Sequence, residues 1–522
     1  MLWHRLSCLL VAAVVASATQ FPLVHSSVKA QNVPGVGFAA DQYDAGLFTP
    51  LGDLSALSTD EFTTLSHPLF PNYNVRIKKS EFCDGTVGTY TGYIDIQARH
   101  LFFYFFESRS DPATDDVIFW TNGGPGCSSS LGLFMELGPC RVTSPDNATF
   151  NPYSWNEKAN IFFVDQPIGV GFSYAEYGET VSTTPEAAKD IAAFVAIFFE
   201  HFSQFKGRAF HMAGESYGGR YIPVFAAEVY DQNAKLVEAG LTPVNLSSIM
   251  IGNGCTDWAT MVPSYYDMTC SPASVAPIMD ISSCVRMKRT VPRCQEALQK
   301  SCVDAYDSFG CSAANLFCSA EIIEPFFDSG YNPYDISRLC DGPISDTLCY
   351  PVTKAIGAYL DRPDVRKQIG VDAFVTANFS SCNNEVNAAF HAADDQMFPT
   401  QFYIGALLER GVRALIYVGA NDWICNWVGN DRMLHDLEWT GQEAFVKEPL
   451  KEWTVDGTAA GLTRSAGSLT FATIYGAGHM VRAVLSRPKA VDGGFLMLSQ
   501  VPYDKPAESL ELTKRWLANK EL

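Results

Sequence analysis

The sequence predicts an α/β protein, with a central, mostly parallel sheet flanked by helices and a single cysteine-rich insertion. Three observations lead there. Short apolar strands alternate with segments of helical spacing, as parallel crossover units require. That alternation stops near Asp257 and resumes after Gln401, and eight cysteines fall between Cys270 and Cys349. A disulfide-stapled cap inserted at about 257–400 explains this more simply than a second independent domain. The third observation is Gly214-Glu215-Ser216-Tyr217-Gly218, a serine between glycines where an apolar strand runs into a helix. A turn that tight lifts its serine above the sheet and aims the helix N-terminus at the reacting centre. Side chains at Gly214 and Gly218 are expected to clash there.

Taken in order, His4 and Arg5 precede an apolar stretch through Leu9 to Val15 and the small-residue site Ala16-Ser17-Ala18. Residues 1–18 therefore read as a secretory signal peptide, its apolar part too short to span a bilayer. Residues 19–79 lack clear periodicity and are proline-bearing (Pro22, Pro34, Pro50, Pro68, Pro71). They read as a propeptide cut near Lys78-Lys79, the alternative being an ordinary N-terminal extension. The catalytic domain then runs over 80–522. Thr89–Ile96 and Leu101–Phe106 alternate as the strands of a hairpin. Asp116–Trp120, Asn160–Val164, Ala209–Ala213, Ser248–Asn253, Ala414–Val418 and Leu469–Tyr475 are short apolar strands. Pro185–Phe205 has helical spacing through Ile191, Phe194, Val195, Phe198, Phe199 and Phe202.

Composition narrows the function classes. A formal charge of −20 repels phosphates and argues against a nucleic-acid partner. It suits work in an acidic compartment. Of fifteen cysteines, Cys8 leaves with the signal, and the rest sit where oxidising conditions favour disulfides. No Cys-x-x-Cys pair or interleaved histidines suggest a metal site, so neither metal nor cofactor is expected. Asn147, Asn245 and Asn378 open glycosylation sequons. No later stretch reads as a membrane span, so no membrane contact is expected once the signal is gone.

Ser216 needs a base, and the base needs an acid to fix its tautomer. In the α/β-hydrolase arrangement these follow in the order acid then histidine, from turns after later strands. Asp422 ends the strand through Ile416-Tyr417-Val418 and takes the acid's place. Of the two later histidines, His435 falls on the polar side of a helical segment, whereas His479 follows a strand through Gly476-Ala477-Gly478. His479 is the better base. Oxyanion donors are expected from the N–H of Tyr217 and from Gly124 in Asn122-Gly123-Gly124.

Several of these stretches together resemble the serine carboxypeptidases: Trp120–Cys127, Glu136–Pro139, Asn151–Asn156, Asp165–Pro167, Gly214–Pro223, Ile251–Gly254 and Gly478–Met480. The likeness runs from about Tyr90 to Leu517. It implies an α/β-hydrolase fold with a cap, and release of single residues from the C-termini of peptides and proteins through an acyl-enzyme. By the resemblance Asn122, Gly123, Glu136 and Glu215 bind the substrate's terminal carboxylate. A carboxylate can accept from a glutamate only if that glutamate is protonated, so activity is expected to be favoured at acidic pH. Tyr217, Cys425 and Met480 match pocket-lining positions. The family's disulfides carry over as Cys127–Cys382, Cys270–Cys284, Cys294–Cys318, Cys302–Cys311 and Cys340–Cys349, with Cys425 free. Cys83, Cys140 and Cys255 fall outside that pattern, and Cys83–Cys140 is taken as a pair. A vacuolar or extracellular destination follows. A related acyltransferase or an inactive binding protein are the other readings.

One departure stands beside the base. The family's run from the histidine continues here only at Val501-Pro502-Tyr503-Asp504, and deleting Val481–Gln500 would restore it. Residues 481–500 read as a retained intron, because valine codons begin GT and a glutamine codon is CAG. The alternative is a genuine surface loop.

Overall fold

A sheet of thirteen strands organises the computed structural model, which describes residues 51–83, 85–479 and 505–522. Its centre is built from β5 (Asp116–Thr121), β8 (Ala159–Val164), β10 (Phe210–Ser216), β11 (Leu246–Gly254), β14 (Arg413–Gly419) and β17 (Leu469–Ile474). They stand in the order β8-β5-β10-β11-β14-β17, every neighbouring pair parallel. Sequences such as Asp-Val-Ile-Phe-Trp-Thr and Ala-Asn-Ile-Phe-Phe-Val are nearly unbroken apolar runs because both faces of a parallel sheet are covered. On one face lie helices α1 (Thr184–His201) and α2 (Gly218–Glu238). Phe194 and Phe198 of α1 pack on Phe103, Phe105 and Phe162, with ring centroids as close as 4.6 Å for Phe162–Phe198. The other face buries Trp120, Trp155, Tyr417 and Trp516.

Antiparallel strands extend both edges. The expected hairpin is β3 (Thr89–Ile96) and β4 (Arg99–Phe106), and β4 pairs with β8. Beyond it come β2 (Tyr73–Ser80) and β1 (Thr63–Ser66), while β9 (Tyr174–Ala175) pairs with β4. At the far edge β17 pairs with β16 (Thr458–Ala466), and β16 with β15 (Lys451–Val455). Strand β2 spans the expected propeptide boundary at Lys78-Lys79. Val75 and Ile77 are fully buried, and Lys78 and Lys79 lie inside the strand, paired with Thr91 and Tyr90. A cut near Lys78-Lys79 falls within this strand. The sequence carries little signal for this strand because only Val75 and Ile77 are apolar among Val75–Lys79, and prolines crowd the stretch before it. The readings for the signal peptide, Met480 and 481–500 lie outside the described residues.

Between β11 and β14 the cysteine-rich stretch forms helices Trp258–Cys270, Ile281–Leu298 and Ser308–Cys318 and the hairpin β12 (Tyr331–Asn332) and β13 (Asp335–Leu339). Met261, Tyr265, Met287, Phe326 and Ile336 make a separate cluster here, which also takes in Trp423 and Cys425 from the loop after β14. Trp423 stacks between Tyr265 at 4.2 Å and Phe326 at 3.8 Å. From Val352 onward the insertion behaves differently: Ile356, Leu360, Val365 and Ile369 join the cluster on the sheet. The small antiparallel pair β6 (Cys140–Ser144) and β7 (Asn147–Phe150) completes the strands.

All five expected disulfides are present, as is Cys83–Cys140. Cys425 is not free. It is bonded to Cys255, 170 residues away. The fold sets the end of β11 beside the loop after β14, a proximity that cysteine spacing alone cannot reveal.

Candidate active site

Ser216 is the last residue of β10, and its φ of 63° is the left-handed turn expected of a strand-to-helix elbow. Helix α2 begins two residues later at Gly218. A Cβ on Gly214 would lie 2.7 Å from the Ile222 side chain and 3.0 Å from the Thr121 carbonyl. The expectation for Gly218 is corrected, since a Cβ there would meet only Thr121 O, at 3.4 Å. The second obligatory glycine is Gly219, whose Cβ would lie 2.6 Å from Thr256 Oγ1 and 2.8 Å from Gly254 Cα. Helix α2 is thus pressed against the end of β11 at that point.

The structure brings together the side chains of His479 and Asp422, read from the sequence as base and acid. His479 Nδ1 lies 2.8 Å from Asp422 Oδ2, and both side chains are buried. Asn253 Nδ2 donates to the same Asp422 oxygen at 2.9 Å and to the Gly478 carbonyl at 3.0 Å. The main chain of Cys425 donates to Asp422 Oδ1 at 3.2 Å. The β12–β13 turn braces both loops: His479 N–H donates to Tyr334 O at 2.6 Å, and Trp423 and Ile424 N–H to Pro333 O. His435 stands elsewhere, on the helix Trp427–Asp436, beside Arg464 and Asp431.

Beside the serine sits an acid pair. Asn122 Nδ2 donates to Glu136 Oε1 at 3.3 Å and to Glu215 Oε1 at 3.4 Å. Its own oxygen accepts from Trp120 Nε1 and from Gly132 N–H, which fixes the amide's orientation. Glu136 and Glu215 are hydrogen-bonded to one another. Burial raises the pKa of Glu136, against hydrogen bonds from Glu215 and Asn122 and the charge of His479. Burial raises Glu215 well above the ordinary carboxyl range, and the charge of Glu136 adds to it. Two buried carboxyls in contact hold a proton between them, because two anions there would repel without water to screen them.

The backbone completes the pocket floor. Gly123 lies against the amide of Tyr217, where a Cβ would come within 2.3 Å of that nitrogen. Gly124 has φ 110°, a conformation that glycine alone takes readily. The Tyr217 ring is tethered at its hydroxyl, which donates to Asp395 Oδ2 at 2.7 Å. Cys425 sits in the acid loop but is buried and disulfide-bonded. Among the described residues no group of three or more His, Cys, Asp or Glu side chains is placed to hold a metal ion.

Sequence reasoning missed Asn253, Cys255 and Asp395. Asn253 is read in the sequence only as the end of a strand and as part of a stretch that carries the likeness, yet asparagine between glycines after a strand is itself a turn signal.

The chain is similar to several known proteins. The model of the family described as serine carboxypeptidase matches residues 82–492. Carboxypeptidase Y of Candida albicans is 38% identical over 452 residues, covering 86% of this chain and 77% of that protein. A vacuolar serine-type carboxypeptidase of Saccharomyces cerevisiae is 37% identical over 473 residues, covering 89% of this chain and 87% of its own. Among solved structures, a prohormone-processing carboxypeptidase from Saccharomyces cerevisiae superposes with a TM-score of 0.69 at 23% identity, covering 88% of this chain and 96% of that one. That last likeness speaks to the α/β-hydrolase fold alone.

Proposed function

The chain belongs to the serine carboxypeptidase family, and on that premise we propose which of its groups hydrolyse the C-terminal peptide bond. Ser216 Oγ attacks the scissile carbonyl while His479 takes its proton. Asp422 holds the imidazole's Nδ1–H and stabilises the cation that forms. The N–H groups of Tyr217 and Gly124 receive the oxyanion, a donor of this kind being worth about 10²–10³ in rate. His479 then protonates the departing amino acid, and water clears the acyl-enzyme by the same steps reversed. The observation that carries the reading is the Asp422–His479 contact together with a proton-sharing acid pair that includes the residue before the serine.

That pair sets the exopeptidase character. Asn122 Nδ2, the Gly123 N–H and the protonated Glu136–Glu215 pair receive the substrate's terminal carboxylate. A group whose pKa is raised keeps its proton at acid pH and loses it as pH rises. Binding of the peptide's tail therefore weakens toward alkaline pH, which shows in KM. A methyl ester, having no free carboxylate, escapes this effect. Tyr217 lines the pocket for the residue before the scissile bond.

The experiment treats the secreted protein with an organophosphorus fluoride and assays a blocked dipeptide. A single adduct on Ser216, lost together with peptidase activity in Ser216→Ala, is the expected result. An unlabelled Ser216 in protein that still cleaves the dipeptide contradicts the assignment.

The chain's route is also proposed. A vacuolar relative supports delivery through the secretory pathway, and among the described residues no helix is long and apolar enough to cross a membrane. Any leader removed on maturation ends upstream of β1. Asn147 and Asn378 are exposed and suit glycans, whereas the Asn245 amide is engaged with the Gly207 carbonyl at 3.1 Å.

A further inference from the structure

Three residues at the end of β11, Asn253-Gly254-Cys255, touch all three segments that bear the proposed catalytic groups. Asn253 is buried and held at φ 47°, a left-handed position that asparagine tolerates better than most residues. That twist turns its amide inward. Nδ2 donates to Asp422 Oδ2 at 2.9 Å and to the carbonyl of Gly478, the residue before His479, at 3.0 Å. Its Oδ1 accepts from Gly419 N–H at 3.3 Å, at the end of β14. One side chain therefore ties the acid, the base loop and the strand from which the acid departs.

Cys255 adds the nucleophile. Its N–H donates to the Ser216 carbonyl at 3.0 Å, and its sulfur is bonded to Cys425. The Cys425 N–H in turn donates to Asp422 Oδ1 at 3.2 Å. A disulfide thus joins the end of β11, itself hydrogen-bonded to the elbow, to the acid's turn. Asn430 closes the same gap, donating to the carbonyls of Gly254 and Cys425, each at 3.0 Å.

We propose that Asn253 and the Cys255–Cys425 disulfide form a positioning bracket, holding Ser216, Asp422 and His479 in register, and that reducing this one disulfide lowers kcat. The bracket rests on the triad reading above. Neither residue touches the reacting atoms, so their loss acts through geometry, where small misplacements cost about 10²-fold in rate. The groups that face His479 are Asp422 through its hydrogen bond, the Tyr334 ring at 5.3 Å and the charge of Glu136.

The test uses a methyl ester substrate, which bypasses the acid pair. Asn253→Asp keeps the shape and the backbone conformation but sets a second carboxylate against Asp422. Its expected result is a kcat lowered about tenfold or more, with the acid limb of kcat/KM moved to higher pH because the imidazolium is favoured. Loss of fold alone would not move that limb. The double variant Cys255→Ala/Cys425→Ala is expected to secrete, to lower kcat at near-constant KM and to slow phosphonylation of Ser216. Wild-type kcat and pH profile in Asn253→Asp, or wild-type kcat and labelling rate in the double variant, overturn the bracket. Wild-type activity in Ser216→Ala or His479→Ala would instead overturn the triad on which it rests.

Discussion

Glu215 and Glu136 make the account sharpest at the scale of single residues. Replacing Glu215 with Gln leaves an amide that donates whatever the pH. Peptidase KM in Glu215→Gln is therefore expected to be flat from about pH 4 to about pH 8, where wild type rises. Glu215→Ala removes the donor altogether, and KM for a blocked dipeptide should rise about tenfold or more even at acid pH, as expected when a carboxylate loses a hydrogen bond from a buried partner. Methyl ester kinetics should change little in either variant. A KM for Glu215→Gln that still climbs with pH would move the titration to another group. The residues proposed as catalytic were readable because each sits at a strand end with its own turn chemistry: Gly-x-Ser-x-Gly at Ser216, and strand exits at Asp422 and His479. Asn253 and Cys255 were not readable as positioning groups. Their roles exist only through contacts with residues far along the chain, such as Asn253 with Asp422 and Cys255 with Cys425.

Among the elements, the elbow and its helix give a paired prediction. Gly219→Ala would drive a Cβ to within 2.8 Å of the backbone at Gly254. Neither backbone can yield without moving Ser216. A loss of about 1–3 kcal/mol in stability and a severe loss of ester hydrolysis are expected. Gly218→Ala, with only an ordinary contact at 3.4 Å, should be tolerated. Thermal melts and ester assays on the two variants decide it, and equal tolerance would discount the packing of α2 on β11. Strand β2 makes the second prediction at this scale. Deleting the chain through Lys79 removes Leu65, Val75 and Ile77, which are buried here, at about 1.5–3 kcal/mol of lost burial per side chain, and uncovers the edge of β3. It also strips Asp95 of its two-pronged contact with Arg76. Secretion of such a truncation should fail, whereas a chain starting at Leu51 should fold. The parallel strands were evident from their apolar runs, since burial on both faces leaves little choice of residue. Strands β1 and β2 were hidden because few apolar residues mark them, Leu65 in β1 and Val75 and Ile77 in β2. In the cap, the helices were hidden among cysteines whose disulfides share the task of periodic packing.

Across the whole molecule, burial of acids couples stability to pH. Burial lifts Asp165 to about 7 and Asp190 to about 6, and raises Glu136 and Glu215 as well. An acid whose pKa is higher in the folded state contributes stability that is complete below its unfolded pKa and is lost as pH rises through the folded value. His67 opposes this: burial lowers it to about 4, so protonation of the unfolded chain below its ordinary 6.5 favours unfolding. Burial lowers His201 as well, and Asp165, Asp190 and the glutamate pair outweigh the two imidazoles in the window above about pH 5.5. The melting temperature is expected to be several degrees higher near pH 5.5 than near pH 8. A molecule with a formal charge of −20 is relieved of self-repulsion in the same direction. Equal or lower stability at pH 5.5 would mean that these acids keep their charge in the folded protein. Acidic composition, oxidised cysteines and the acid pair all suit the proposed acidic, oxidising setting; the first two were legible in composition, the pair only through the resemblance.

The most direct test is KM for a blocked dipeptide and for its methyl ester, measured side by side from about pH 4 to about pH 8. The shared proton of Glu136 and Glu215 predicts that the dipeptide's KM climbs as the pair ionises, while the ester's KM stays level. Parallel curves for the two substrates would contradict it, because then no protonated acid pair grips the peptide's terminal carboxylate.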